Sequence, residues 1–358
     1  MTAQNIDRSL PTPLLFIAAV LIWGSTFLVI TFQLGEVAPA VSVVYRFGLG
    51  ALILFGWCLV RRERLWISWR HQGWLMLQGL LNFGLSYVCT YEAEGYLVSA
   101  LVAVMFALMV FWNAIGARLI FKTALTWQTL CAAAISIGGV VMLFSHSLQE
   151  VWLSLGLADS GAGVGASAGT IAATTGIVAN PAPGNGHFLL GLGLALAATL
   201  SASVGSMVAV KVGRDHDNNV LVTTAWAMLW GMLSVTLWAL VTGQPWTLPS
   251  TPVYWISMLY LASCGSVIAF TAYFTLINRI GPGKAAYTGV MTPVVSVLLS
   301  MRFESYQPGA IGVLGMALCL TGVVWAVRSK GNEPGADTVQ PGAAMRPCDL
   351  HPATGDHA

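Results

Sequence analysis

Residues 41–60 read VSVVYRFGLGALILFGWCLV. Nineteen of these twenty residues carry no charge, and Arg46 sits among them. As a helix rising 1.5 Å per residue, such a run is roughly 30 Å long, the thickness of a bilayer's hydrocarbon core. The rest of the chain decides whether that match matters. Of its 358 residues, 56% are hydrophobic and only 8% are charged. Soluble domains carry about 25% charged residues. This chain cannot supply the charged coat that a soluble globule of its length needs. Its natural solvent is lipid.

Working outward from 41–60, ten runs are long and apolar enough to span. They lie at about 13–34, 39–60, 72–92, 96–120, 126–145, 187–211, 220–242, 253–278, 284–302 and 308–328. The first follows MTAQNIDRSLPTP and continues to about Phe32 with no small-residue cleavage pattern, so it reads as a span and not as a secretory signal. With the N-terminus placed in the cytoplasm, every Lys and Arg except Arg46 and Arg302 falls in a cytoplasmic segment. That asymmetry is the positive-inside rule, and it also checks the helix count. One missed helix would invert every later loop. The basic residues are scattered singly, so there is no stripe that would bind nucleic acid.

The segment 146–186 contains ADSGAGVGASAGTIAATTGIVANPAPGNG and no Lys or Arg. Its Gly, Ala, Ser and Thr content predicts a flexible external linker. Gly165–Ala166–Ser167–Ala168–Gly169 matches a G-x-S-x-G nucleophile elbow, but the strand, helix, His and acid that the motif requires are missing around it. The polar, Pro- and Gly-rich stretch 329–358 reads as a disordered cytoplasmic tail, and 1–12 as a cytoplasmic N-terminus. What remains is five helices on each side of the linker. An odd-numbered repeat enters the membrane in the opposite sense the second time, and such inverted repeats mark transporters. The expected fold class is therefore all-α integral membrane, ten transmembrane helices as two inverted five-helix repeats, 13–145 and 187–328. FKTALTWQTLCAAAISIGGVVML (121–143) and FESYQPGAIGVLGMALCLTGVVWA (303–326) echo each other weakly across the repeat.

Three stretches in combination carry a family likeness: WGSTFLVI (23–30), YRFGLGALIL (45–54) and GPGKAAYTGVMTPVVSVLLSMRFESYQPGAIGVLGMALCLTGVV (281–324). With them the chain resembles the EamA-type, ten-helix branch of the drug/metabolite transporter superfamily, over about 13–145 and 187–328. The resemblance implies a carrier of small metabolites, often an exporter, in the bacterial inner membrane, and it names no cargo. The family pattern often has a proline midway along the fourth helix as well as the ninth. Here Pro293 is present, while the fourth helix reads FALMVFW (106–112) and lacks the proline that would break it.

The chemistry lies in polar residues at helical spacing. Gln78, Asn82, Ser86, Thr90 and Glu94 are each four apart in the third helix, with Tyr87 and Tyr91 beside them. Thr288, Thr292, Ser296 and Ser300 repeat the spacing in the ninth. Lipid cannot hydrogen-bond an amide, so each such side chain must face protein or a watery cavity. For the ninth helix, interhelical glue and cavity lining are both open readings. For the third, Gln and Asn are costly to hide and the tyrosines offer aromatic faces, which favours a cavity. Trp23 and Thr26 stand near mid-membrane, and Thr271, Thr275 and Asn278 form a shorter stripe with Tyr273 beside it. Trp226 and Trp230 read as packing residues. Pro293 removes one backbone donor and frees a carbonyl near Gly289, either as a break that exposes backbone to cargo or as a harmless kink.

Arg46 lies about seven residues into its helix, roughly 10 Å deep. Arginine at a helix centre costs about 2.5–3.5 kcal/mol on the insertion scale, so something offsets it. It either pairs outward with Glu92 or Glu94 or with backbone carbonyls, or faces a cavity and attracts an anionic group such as a carboxylate. The family-like pattern carries an arginine here among varied carriers, which leans toward the first. The candidate substrate-binding residues are thus Trp23, Arg46, Gln78, Asn82, Ser86, Tyr87, Tyr91, Thr288 and Thr292. No cofactor is expected. There is no Walker A motif, no CxxC pair and no histidine well inside a run. Acids near the membrane centre are absent, so facilitated or exchange transport is expected before proton coupling, with Glu94 the remaining candidate. The expected partners are a small-molecule substrate and the bilayer, with oligomeric state left open. A membrane enzyme or a non-transporting partner protein is the alternative. The first would need buried catalytic groups, and the second would need no polar stripe.

Overall fold

The computed structural model describes residues 10–121, 127–143, 185–215, 219–285 and 287–330. The expected linker up to 184, including Ser167, and the tail from 331 lie outside the described residues. Among the described residues all regular secondary structure is helical, without a strand.

The chain forms ten helical segments among those residues. They are α1 (Thr12–Thr31), α2 (Pro39–Val60), α3 (Trp69–Gln78, Gly79–Leu85 and Ser86–Glu94), α4 (Ser99–Ala107 and Met109–Phe121) and α5 (Trp127–Leu143). After the linker come α6 (Asn185–Asp215), α7 (Val220–Val241), α8 (Pro252–Tyr260, Leu261–Ile268 and Ala269–Ala285), α9 (Tyr287–Phe303) and α10 (Ala310–Lys330). Prolines open α2 and α8 in their first turns, where the missing N–H costs nothing. The Asn219 side chain caps α7 by accepting from the Leu221 N–H at 3.0 Å.

Five helices are each long and apolar enough to cross a bilayer: α1, α2, Phe188–Gly213 within α6, α7, and Pro252–Ile277 within α8. Their outer faces carry exposed aliphatic side chains such as Leu52, Leu237 and Ile256. In water this surface would aggregate; in lipid it is solvated. The protein is a multi-pass membrane protein.

The two five-helix sets pack by exchange. The pairs α2–α7, α4–α9 and α5–α10 map onto themselves when α1–α5 is swapped for α6–α10. Under the same swap α1–α9 maps onto α4–α6, α1–α8 onto α3–α6, and α2–α8 onto α3–α7. The third helix of each set, α3 and α8, contains a stretch of wider π-helical turns, Gly79–Leu85 and Leu261–Ile268. Such turns free backbone carbonyls and re-aim side chains, and they gather at functional sites.

Where the chain approaches itself most closely, glycine permits it. A side chain at Gly79 would meet the Ala227 carbonyl and the Gly231 amide of α7. One at Gly139 would meet the backbone of Gly315 and Cys319 in α10. Lipid gives helices no hydrophobic reason to associate, so this close van der Waals contact supplies much of the cohesion.

The breaks do not follow the prolines. Leu108 interrupts α4 without a proline, its N–H turning back to Met105 O at 3.0 Å. In α9 the helix continues through Pro293 from Tyr287 to Phe303.

Candidate functional site

The cavity near the middle of the bundle holds about 110 Å³ and is lined by α1, α3, α4, α6, α8 and α9. On α1 stand Trp23, Thr26, Phe27 and Ile30. From α3 come Asn82, Ser86, Tyr87 and Thr90, and from α9 Thr288, Gly289 and Thr292. The remaining wall is Phe106, Met109 and Asn113 of α4, Ala202 and Ser206 of α6, and Phe270 and Tyr273 of α8.

The α3 stripe is held by its neighbours. The Ser86 hydroxyl donates to the Ala198 carbonyl of α6 at 2.9 Å, and Thr90 donates back to the Ser86 carbonyl at 2.8 Å. Ser201 of α6 donates to the Leu81 carbonyl at 2.7 Å, in the π-helical stretch. Gly205 lies flat against Asn82, where a side chain would come within 2.9 Å of the Asn82 Cβ. Asn82 is thereby fixed, yet its buried Nδ2 has no hydrogen-bond partner.

An aromatic wall faces that stripe. The Trp23 ring lies 5.2 Å from Phe270 and 5.0 Å from Tyr273, centroid to centroid. Phe27 meets Phe106 edge-on at 5.5 Å. The Trp23 Nε1–H is also buried and unpartnered. Buried donors without acceptors are costly, and native proteins usually satisfy them. Both of these belong to cavity-lining residues, so a guest bearing an acceptor would relieve them.

Of the nine candidate residues, Trp23, Asn82, Ser86, Tyr87, Thr288 and Thr292 line the cavity. Gln78, Tyr91 and Arg46 are buried outside its lining. For Gln78 the reason is the π-helical stretch, which adds about one residue per turn and rotates everything before it by roughly 100°. Tyr91 stands one turn beyond Tyr87 and donates its hydroxyl to Gln33 Oε1 at 2.9 Å. Arg46 donates from Nε to Ser266 Oγ at 3.0 Å and from Nη1 to the Tyr91 hydroxyl at 3.5 Å. Its guanidinium stacks over the Tyr87 ring, 4.6 Å from the centroid.

The ninth-helix ladder divides. Thr288 and Thr292 line the cavity while their hydroxyls donate to Ala285 O and Thr288 O, both at 2.8 Å. Ser300 leaves the cavity and shares a 2.9 Å hydrogen bond with Ser99 of α4, whose hydroxyl also reaches Glu304 at 2.6 Å. Trp226 and Trp230 bond to Leu65 O and Gln72 Oε1, at 2.9 and 2.8 Å, away from the cavity. Sequence reading missed Asn113, Ser206, Phe106 and Met109. The signal for Asn113 was one amide in VFWNAIG; it accepts from Ser203 at 2.6 Å. Among the described residues, no group of three His, Cys, Asp or Glu could hold a metal.

A model of the EamA-like transporter family matches residues 10–145 and again 189–328. The inner membrane transporter YedA of Escherichia coli, itself uncharacterized, is 26% identical over 328 residues, covering 90% of this chain and 93% of its own. Protein PecM of Dickeya dadantii is 23% identical over 305 residues, covering 85% and 88%. A crystal structure at 17% identity superposes with a TM-score of 0.60 over 90% of this chain and 99% of the other, which speaks to the fold alone. The family model spans both five-helix sets, and the chain belongs to the EamA-like transporter family.

Proposed function

We propose that the protein is a secondary carrier that exports a small organic metabolite, such as an amino acid, by alternating access around this cavity. The carrying observation is the cavity itself. It lies half-way along the helices, both five-helix sets contribute to it, and it joins an aromatic wall to a polar stripe. A space of about 110 Å³ accommodates several waters or a small metabolite. Trp23, Asn82, Ser86, Tyr87, Thr288 and Thr292 would contact the cargo. Both termini would face the cytoplasm of a bacterial inner membrane, since the basic residues of the chain cluster in the loops on that side.

Counterflow in proteoliposomes tests the reading. Purified protein exchanges a labelled amino acid or related metabolite across the vesicle wall, and Asn82→Leu abolishes exchange while expression and folding persist. Full exchange by Asn82→Leu would remove the α3 stripe from the cargo path.

A further inference from the structure

Arg46 is fully buried, yet its Nη2 has no hydrogen-bond partner. A guanidinium has five donors and cannot lose its charge, so a buried, open donor calls for an acceptor. The surroundings place that donor next to the cavity wall. Gly265 of α8 leaves a gap that a single Cβ would close: it would lie 2.7 Å from Thr26 Cγ2 and 3.1 Å from Arg46 Nη2. Thr26 is cavity wall. Tyr87, whose ring carries the guanidinium on one side, is cavity wall too. The guanidinium thus lies directly behind the Thr26–Tyr87 part of the lining. The π-helical stretch of α8 holds it there. Ser266 donates five residues back to Leu261 O at 2.9 Å and accepts from Arg46 Nε. Glu94 interacts with Arg46 electrostatically and gives Nη2 no acceptor.

We infer that Arg46 is the charged end of the substrate subsite, and that the cargo bears a carboxylate. This rests on the carrier reading and deepens it. Rotation of the Tyr87 ring uncovers Nη2, and the carboxylate takes the open donor of Arg46. The Trp23 Nε1–H, likewise buried and open, donates to the same acceptor-rich end. The apolar body of the cargo lies against Phe27, Phe106 and Phe270. Neither of these two donors can act as an acceptor, so a cationic or purely donating group finds no partner at this end of the cavity. A structural arginine, by contrast, would have its donors filled by the protein and give a guest no direct hydrogen bond.

Matched probes separate the two. Phenylpropanoate and indoleacetate are titrated against the purified full-length protein at neutral pH, each beside its neutral amide, with tryptophan fluorescence or calorimetry as readout. Each acid binds at least about tenfold more tightly than its amide, the scale of one charge-assisted hydrogen bond. The preference collapses to near equality in Arg46→Met. It shrinks in Ser266→Ala, which frees the guanidinium, and in Gly265→Ala, which pushes on Nη2. Should Arg46→Met fail to fold, the wild-type acid-to-amide ratio and Ser266→Ala decide alone. Equal binding of acid and amide, no binding of either acid, or a preference that survives Arg46→Met overturns the subsite. The carrier reading has a separate fate. If the subsite fails while liposomes still exchange a neutral or cationic metabolite, only the cargo class is lost. If the acids bind and nothing is exchanged, only transport is lost.

Discussion

At the scale of single residues, the cavity's open donors set the predictions. Replacing Trp23 by its benzothiophene analogue, 3-benzothienylalanine, keeps a bicyclic aromatic ring against Phe270 and Tyr273 and removes only the N–H. The loss of one hydrogen bond, about 1 kcal/mol, weakens cargo binding roughly fivefold without loss of stability, as measured by titration and by melting. Glu36 makes a different prediction. It lies in the loop between α1 and α2 and accepts from the Thr251 hydroxyl at 2.6 Å, the Thr251 N–H at 3.0 Å, the Ser250 hydroxyl at 2.9 Å and the Ser250 N–H. These bonds, the Thr251 hydroxyl foremost, bring its carboxyl from an ordinary 4.5 down to about 2. A carboxyl lowered in this way stabilises above its unfolded pKa and loses that contribution as pH falls from near 4.5 through about 2. The latch between the α1–α2 and α7–α8 loops is therefore at full strength at neutral pH and releases only in strong acid. In hydrogen exchange corrected for intrinsic rate, the Thr251 amide is protected in the wild type from pH 7 to about 4.5 and unprotected in Glu36→Ala throughout. Equal protection in both proteins would show that the carboxylate is not the latch. Much of this scale was legible. Four-residue spacing alone picked out Asn82, Ser86, Thr288 and Thr292, with Tyr87 beside the stripe, because helical geometry converts spacing into a shared face. Arg46 could not be resolved from sequence. Its partners Tyr91 and Ser266 lie 45 and 220 residues away along the chain.

At the scale of elements, helix contacts rest on small residues and on departures from ideal α-geometry. The α5–α10 pair meets backbone to backbone at Gly139, and Ser136 of α5 donates to Cys319 O at 3.0 Å. Gly139→Leu forces these helices apart. Overpacking of this kind costs typically 1–3 kcal/mol, so unfolding in a denaturing detergent titration shifts by about that amount. Gly138→Leu next to it meets open space and leaves stability nearly unchanged. The sequence did predict where helices lie, since a run of twenty apolar residues has few other uses in a membrane. It did not predict how they bend. Nothing in GLLNFGL or LASCGSVI spells a π-helical turn, and no proline or glycine marks the break at Leu108. Those features come from packing against other helices, which local propensity does not contain. The proline that is spelled out, Pro293, leaves α9 continuous.

At the scale of the whole molecule, two facts meet. The loops divide by charge, and the five-helix sets pack by exchange around one cavity. Charge division predicts that both termini stay in the cytoplasm. A C-terminal fluorescent-protein fusion is bright, a C-terminal alkaline phosphatase fusion is inactive, and the reverse result would overturn the orientation. The exchange of helices was expected from the odd number in each half. The cavity's further lining, Asn113, Ser206 and Met109, was invisible because α4 and α6 read as almost uniformly apolar or small. The proposed carrier function requires water to reach the middle of an otherwise oily bundle. Thiol labelling measures that directly. In a background free of native cysteines, Asn82→Cys, Ser86→Cys and Thr292→Cys each react with a small membrane-impermeant thiosulfonate from at least one side, and Leu52→Cys on the lipid face does not. If the three cavity positions remain sealed from both sides under every condition while Leu52→Cys behaves the same way, no passage for cargo runs along α3 and α9.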